Sequence, residues 1–115
     1  MLSRNMSKTS QRKGREAEIE LSRLLNENGI PAVPGKALNY GTEPDLTGID
    51  GIHAEVKRQE RIDIGSWMHQ AERDSERFGG WPCVFHRRNR EQWHVTMHLT
   101  TWIALYMAWK EVKEK

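Results

Sequence analysis

The sequence predicts a single α/β domain, a mixed β-sheet flanked by helices in the order α-β-β-β-α-β-β-α. Three observations predict it. Apolar residues recur at helical spacing in three separate stretches. Short runs of strand character lie between them, bounded by Gly, Pro and Asp-Gly signals. The length, 115 residues, suits one domain with one small core. No internal repeat or second domain is visible, so residues 1 to 11 read as a flexible basic tail and residues 12 to 115 as the domain.

The tail is rich in Ser, Asn, Lys and Arg. From residue 13 to 28 the pattern turns helical, with Ala17, Leu21, Leu24, Leu25 and Asn28 on one stripe and Gly29 as the stop. Glu18 falls at one margin of that stripe and Glu20 at the other, so helical phase alone leaves both at the edge of the core. Residues 30 to 36 carry Pro31 and Pro34 and read as an edge strand, followed by a polar, mobile loop over 37 to 42. Residues 43 to 48 and 52 to 58 form a hairpin around Ile49, Asp50 and Gly51. Asp63 is a suitable N-cap for a helix reaching Phe78, with Ile64, Trp67, Met68 and Ala71 in phase and Gly79-Gly80 stopping it. Residues 81 to 85 and 92 to 97 make two further strands across a basic turn. Thr100 or Thr101 then caps a last helix through about Val112.

Composition narrows the function. Charged residues make up 30% and mean hydropathy is -0.81, yet five Trp and scattered aliphatic residues argue for a folded chain. The longest strongly apolar stretch, residues 102 to 109, is too short to span a bilayer, and no apolar signal core follows Met1-Leu2. Cys83 is the only cysteine, which excludes an internal disulfide and a Cys-rich zinc site. A cytoplasmic protein without a membrane partner is expected. Eighteen Lys and Arg against sixteen Asp and Glu give a net charge of +2, and the distribution says more than the total. Arg4, Lys8, Arg12, Lys13 and Arg15 precede the first acid, Glu16; Lys57, Arg58 and Arg61 cluster, as do His86, Arg87, Arg88 and Arg90. Basic clusters beside a small acidic group suit a protein that holds a polyanion near a metal.

The acidic group centres on Pro44-Asp45 and Glu55-Val56-Lys57. Strand alternation puts Glu55 and Lys57 on one face and Ala54 and Val56 on the other. A two-residue turn would pair Asp45 with Val56 and face it away. A three-residue turn over Ile49, Asp50 and Gly51, with Gly51 left-handed, would pair it with Glu55. The second register makes chemical sense, because adjacent carboxylates repel unless a cation lies between them. Such a pair is a hard-oxygen site of the kind Mg²⁺ prefers, and Lys57 adds a positive charge for a water or a phosphate.

Three blocks in this order resemble the PD-(D/E)XK nucleases, in particular the archaeal-type and phage Holliday junction resolvases: Arg12-Lys13-Gly14 with Glu18, Leu21, Leu24 and Leu25; Pro44-Asp45 with Glu55-Val56-Lys57; and Arg77 to Pro82. The resemblance covers about residues 12 to 86 and implies a restriction-endonuclease-like fold. It selects Glu18 over Glu20. It implies Asp45 and Glu55 as metal ligands with the Val56 carbonyl, Glu18 as a third carboxylate, Lys57 as the catalytic lysine and Gln70 near the phosphate. Mg²⁺, with Mn²⁺ as a substitute, is the implied cofactor and branched DNA, a four-way junction, the implied substrate. Arg12, Lys13, Arg15, Arg58, Arg87, Arg88 and Arg90 would contact the DNA backbone. From Arg87 onward the chain departs from the archaeal pattern; its compactness hints at a phage or prophage source.

His53 shares the face of Glu55 by alternation, which places it behind the site or at the surface, and no histidine pair has convincing zinc-ligand spacing. Cys83 reads as core, and no Gly-rich phosphate loop is present. Trp102, Ile103, Leu105, Tyr106, Met107 and Trp109 surround much of the last helix, which suits a homodimer interface; a twofold junction needs two matched cuts and this chain has one site. Two other readings stay open: a flap, nicking or duplex endonuclease, and a DNA-binding or interaction module without catalysis.

Overall fold

The computed structural model describes residues 2–35 and 44–115, with side chains from residue 12 onward. The loop expected over residues 37 to 42, and Glu43, lie outside the described residues. The elements are α1 (Leu2–Glu27), β1 (Val33–Pro34), β2 (Leu46–Thr47), β3 (Ile52–Arg58), α2 (Ile64–Phe78), β4 (Trp81–Arg87), β5 (His94–Met97) and α3 (Leu99–Glu114), in the predicted order. The five strands form one sheet in the order β1-β2-β3-β4-β5, antiparallel except for the β3–β4 pair. α2 is the crossover that lets β3 and β4 run parallel.

α1 starts at Leu2, well before the predicted residue 13. Residues 2 to 11 hold no Pro or Gly, so the expected tail continues the helical backbone. The other end stops where predicted. Gly29 adopts φ 85; its N–H donates to the Asn26 carbonyl and the Ile30 N–H to that of Leu25, both at 3.0 Å. This pair of bonds is the Schellman arrangement that left-handed glycine permits. Ala17 and Leu21 bury the α1 stripe against Ala54, Val56 and Leu46, whereas Leu24, assigned to the same stripe, is exposed.

On the opposite sheet face, Trp67, Met68 and Ala71 of α2 pack on Val84. Asp63 caps α2, accepting from the Ser66 N–H at 3.4 Å. Gly79 ends the helix, and Gly80 then lets the chain graze β3: a Cβ on Gly80 would lie 2.9 Å from the His53 nitrogen. Ile64 and Phe78, at the two ends of the predicted stripe, are exposed.

α3 begins at Leu99 rather than behind a threonine cap. Thr101 is buried inside the first turn, and His98 precedes the helix without a capping hydrogen bond. Leu99, Trp102, Ile103, Met107 and Trp109 are all exposed, and Tyr106 lies between Trp102 and Trp109 in an aromatic ladder. No helix among the described residues is long and apolar enough to cross a membrane.

Candidate active site

The hairpin takes the three-residue register. Leu46 pairs with Ala54, which sets Asp45 opposite Glu55, and Gly51 is left-handed at φ 81. The Ile52 N–H closes the turn on the Ile49 carbonyl at 3.0 Å. Asp45 is oriented by the strand it faces, its Oδ2 accepting from the Val56 N–H at 2.8 Å. For Val56, whose carbonyl was the predicted ligand, this N–H contact is what ties it to the site, while its side chain is buried beneath α1.

The fold sets Asp45, at the start of β2, between two other carboxylates: its charge acts on Glu18 of α1, and it interacts with Glu55 of β3. The carboxyl groups of all three are pushed up to about 7. Burial is the leading cause in each case. Next, the Asp45 charge raises Glu18 and the Glu55 charge raises Asp45, whereas a hydrogen bond with Asp45 lowers Glu55 before the Asp74 charge raises it. Lys57, on the same strand face as Glu55, pulls Asp45 and Glu55 back toward the ionised form, and Arg15 does so for Glu18. Arg15 also donates to the Gly35 carbonyl.

Ionised, these carboxylates outnumber the side-chain cations that act on them, Lys57 and Arg15, so a bound cation would favour the ionised form. Closely spaced oxygen donors short of positive charge fit a hard cation such as Mg²⁺ or Mn²⁺.

Two residues complete the group. His53, expected behind the site or exposed, is fully buried, with Nε2 2.9 Å from Glu55 Oε1. Burial holds its imidazole toward the neutral form, against the charges of Asp74 and Asp45. Asp74 reaches in from α2, and His53, Glu55 and Asp74 present ligand atoms all within 4.8 Å of one another. Nothing in the sequence reading singled out Asp74. The available signal was its place three residues after buried Ala71, an acid at the margin of an apolar helix face. Gln70 lies one turn earlier on α2, half-buried.

Glu20 went the other way. Its carboxylate accepts from Arg58 Nη1 (3.0 Å), Arg87 Nε (2.8 Å), Arg87 Nη2 (2.7 Å) and Trp93 Nε1 (2.8 Å). The Arg87 hydrogen bond is the main reason its carboxyl sits below the usual range. Arg87 also lies over the Trp93 ring, 5.4 Å from its centre. Arg58 and Arg87, both predicted to face DNA, therefore direct their guanidinium groups to Glu20 and are mostly buried. His86, counted among the surface basic residues, is buried, hydrogen-bonded to Thr96 at 2.8 Å and held toward the neutral form by burial. Arg12, Lys13, Arg88 and Arg90 are exposed.

No protein-family model matches the sequence, and no curated protein does. Among solved structures, the chain is similar to Hjc of Archaeoglobus fulgidus, a Holliday junction resolvase from an archaeal hyperthermophile. The TM-score is 0.55 and the identity 20%, over 74% of this chain and 72% of that one. The chain shares the fold of a resolvase. That is the restriction-endonuclease-like α/β arrangement implied by the sequence blocks, a five-stranded mixed sheet with α1 and α2 on opposite faces.

Proposed function

We propose that this protein is a metal-dependent endonuclease that hydrolyses DNA phosphodiesters, acting on four-way junctions as a homodimer. The observation that carries the reading is the desolvated row of Glu18, Asp45 and Glu55, in which Asp45 acts on both neighbours, with Lys57 on the strand face of Glu55. The fold shared with Hjc supports the substrate class.

Glu18, Asp45 and Glu55, with the Val56 carbonyl, would hold the cation. A bound Mg²⁺ or Mn²⁺ would polarise a phosphate oxygen and acidify a coordinated water. Lys57 orients the attacking water and offsets the negative charge that grows on the phosphate. Arg12, Lys13, Arg88 and Arg90 contact backbone phosphates, which positions DNA without reading its sequence. Arg15, whose charge acts on Glu18, and Gln70 of α2 steer the scissile strand; Arg58 and Arg87 support that surface from beneath through Glu20. The exposed apolar faces of α3 pair two copies, whose twofold axis matches the approximate symmetry of a four-way junction.

The test is cleavage of a labelled four-way junction beside matched duplex and flap DNA, with Mg²⁺, with EDTA, and with Lys57→Ala. Paired symmetric nicks confined to the junction, lost with EDTA and in the variant, are expected. Cutting of flaps or duplex instead would keep the site and change the substrate. Binding without any cutting in Mg²⁺ or Mn²⁺ would refute catalysis. Sedimentation with a charged substitution at Trp102 checks the dimer: the mass should halve.

A further inference from the structure

Among the described residues Glu55 is the carboxylate most completely removed from water, 1% exposed, and the residue that touches it from its own strand is His53, 0% exposed. Its backbone is pinned where Gly80 brings the start of β4 so close that a Cβ there would meet the His53 nitrogen at 2.9 Å. The ring makes one hydrogen bond, from Nε2 to Glu55 Oε1 at 2.9 Å. Its other nitrogen, Nδ1, is buried without a partner among the described residues.

A buried polar atom left unpaired works against folding. An apolar side chain would fill the same position without that cost, so packing does not account for an imidazole here. Its one polar contact is with a carboxylate of the cation cluster. Asp74 faces the same pair from α2, with its ligand atom within 4.8 Å of both. Glu55 is thereby bounded by an imidazole on one oxygen and by Asp74 across the layer, which restricts the carboxylate to few orientations.

We propose that His53 is a positioning residue for the nuclease site, fixing the Glu55 carboxylate by the Nε2–Oε1 hydrogen bond so that Glu55 and Asp45 present oxygens to one cation. This rests on the metal-dependent reading above. A hydrogen bond that orients a ligating group raises metal affinity, and its removal commonly costs 10- to 100-fold.

Mn²⁺ binding to the full chain without DNA, followed by electron paramagnetic resonance and calorimetry, tests the proposal. His53→Leu should bind Mn²⁺ roughly 10- to 100-fold more weakly than wild type. His53→Gln, whose amide N–H reaches toward the same oxygen, should recover most of the affinity. A purely structural role predicts the reverse order, because leucine suits a buried site better than glutamine does. Equal affinity in wild type and a folded His53→Leu would overturn the positioning role and leave the cation site standing. No Mn²⁺ binding by wild type would overturn the metal-dependent reading and the role with it. Should His53→Leu fail to fold, His53→Gln is compared with His53→Asn, whose shorter amide falls short of Glu55; equal affinity in that pair refutes the role.

Discussion

Glu18 and Glu20 stand two residues apart on α1 and occupy opposite electrostatic situations. Glu20 accepts four hydrogen bonds from Arg58, Arg87 and Trp93, and its carboxyl is held below the usual range. Glu18 faces Asp45, is desolvated, and is pushed up to about 7. One carboxylate has its countercharge built into the protein; the other belongs to a cluster whose countercharge must come from outside. Acidic residues at the edge of a core are therefore told apart by what they lack. The fully compensated glutamate ties helix to sheet, and the undercompensated group is where a cation fits.

Substitutions should separate the two regions. Asp45→Asn should reduce cleavage to background while the chain stays folded, because it removes a proposed ligand and relieves repulsion with its neighbouring carboxylates; junction cleavage alongside circular dichroism checks both. Lys57→Ala should lower the cleavage rate by roughly 10²- to 10³-fold with the fold unchanged. Glu20→Ala should act on stability. It strands two guanidinium groups and an indole N–H, and urea titration should show a loss of about 1–2 kcal/mol once partial exposure is allowed for. Its cleavage rate per folded molecule should stay near wild type.

Acidity distinguishes the regions by sign. Glu18, Asp45 and Glu55 bind protons more tightly folded than unfolded, so the stability they contribute is full at low pH. It is lost as pH rises from the ordinary carboxylate range, about 4.5 for Glu, through about 7. Glu20 has the opposite slope: its contribution is present above the ordinary range and is lost as pH falls through its lowered value. Thermal melts of metal-free protein should therefore decline across the upper window. Saturating Mg²⁺ should raise the midpoint more at about pH 8 than at about pH 5, where protons compete for the same oxygens. The smallest effect is expected from Arg88→Ala or Arg90→Ala, each lowering DNA affinity modestly and flattening its salt dependence by about one phosphate contact.

Much of this was legible in the sequence, for local reasons. Alternation put His53, Glu55 and Lys57 on one face, and the repulsion argument favoured the register in which Asp45 opposes Glu55, as Leu46–Ala54 pairing places it. Glu18 and Glu20 were not separable by helical phase, since what distinguishes them is Arg58 and Arg87, far along the chain. The same holds for Arg58 and Arg87 themselves: a basic cluster read in one dimension looks free, and only the fold shows Glu20 between them. Asp74 stayed hidden because its role depends on how the α2 crossover is laid against β3. The start of α1 was missed because residues 2 to 11 lack the apolar periodicity that marks a packed helix, yet contain nothing that breaks one.

Each strand of the sheet hydrogen-bonds to its neighbour in sequence, and that order has a kinetic consequence. Short loop closures favour quick assembly, and the Ile49–Gly51 turn allows the β2–β3 hairpin to form from contacts close in the chain. The same hairpin sets Asp45 against Glu55. Refolding followed by tryptophan fluorescence should therefore slow once the pH rises above the ordinary carboxylate range, where both groups enter the hairpin ionised, with the chain's own carboxylates acting as the brake on its assembly.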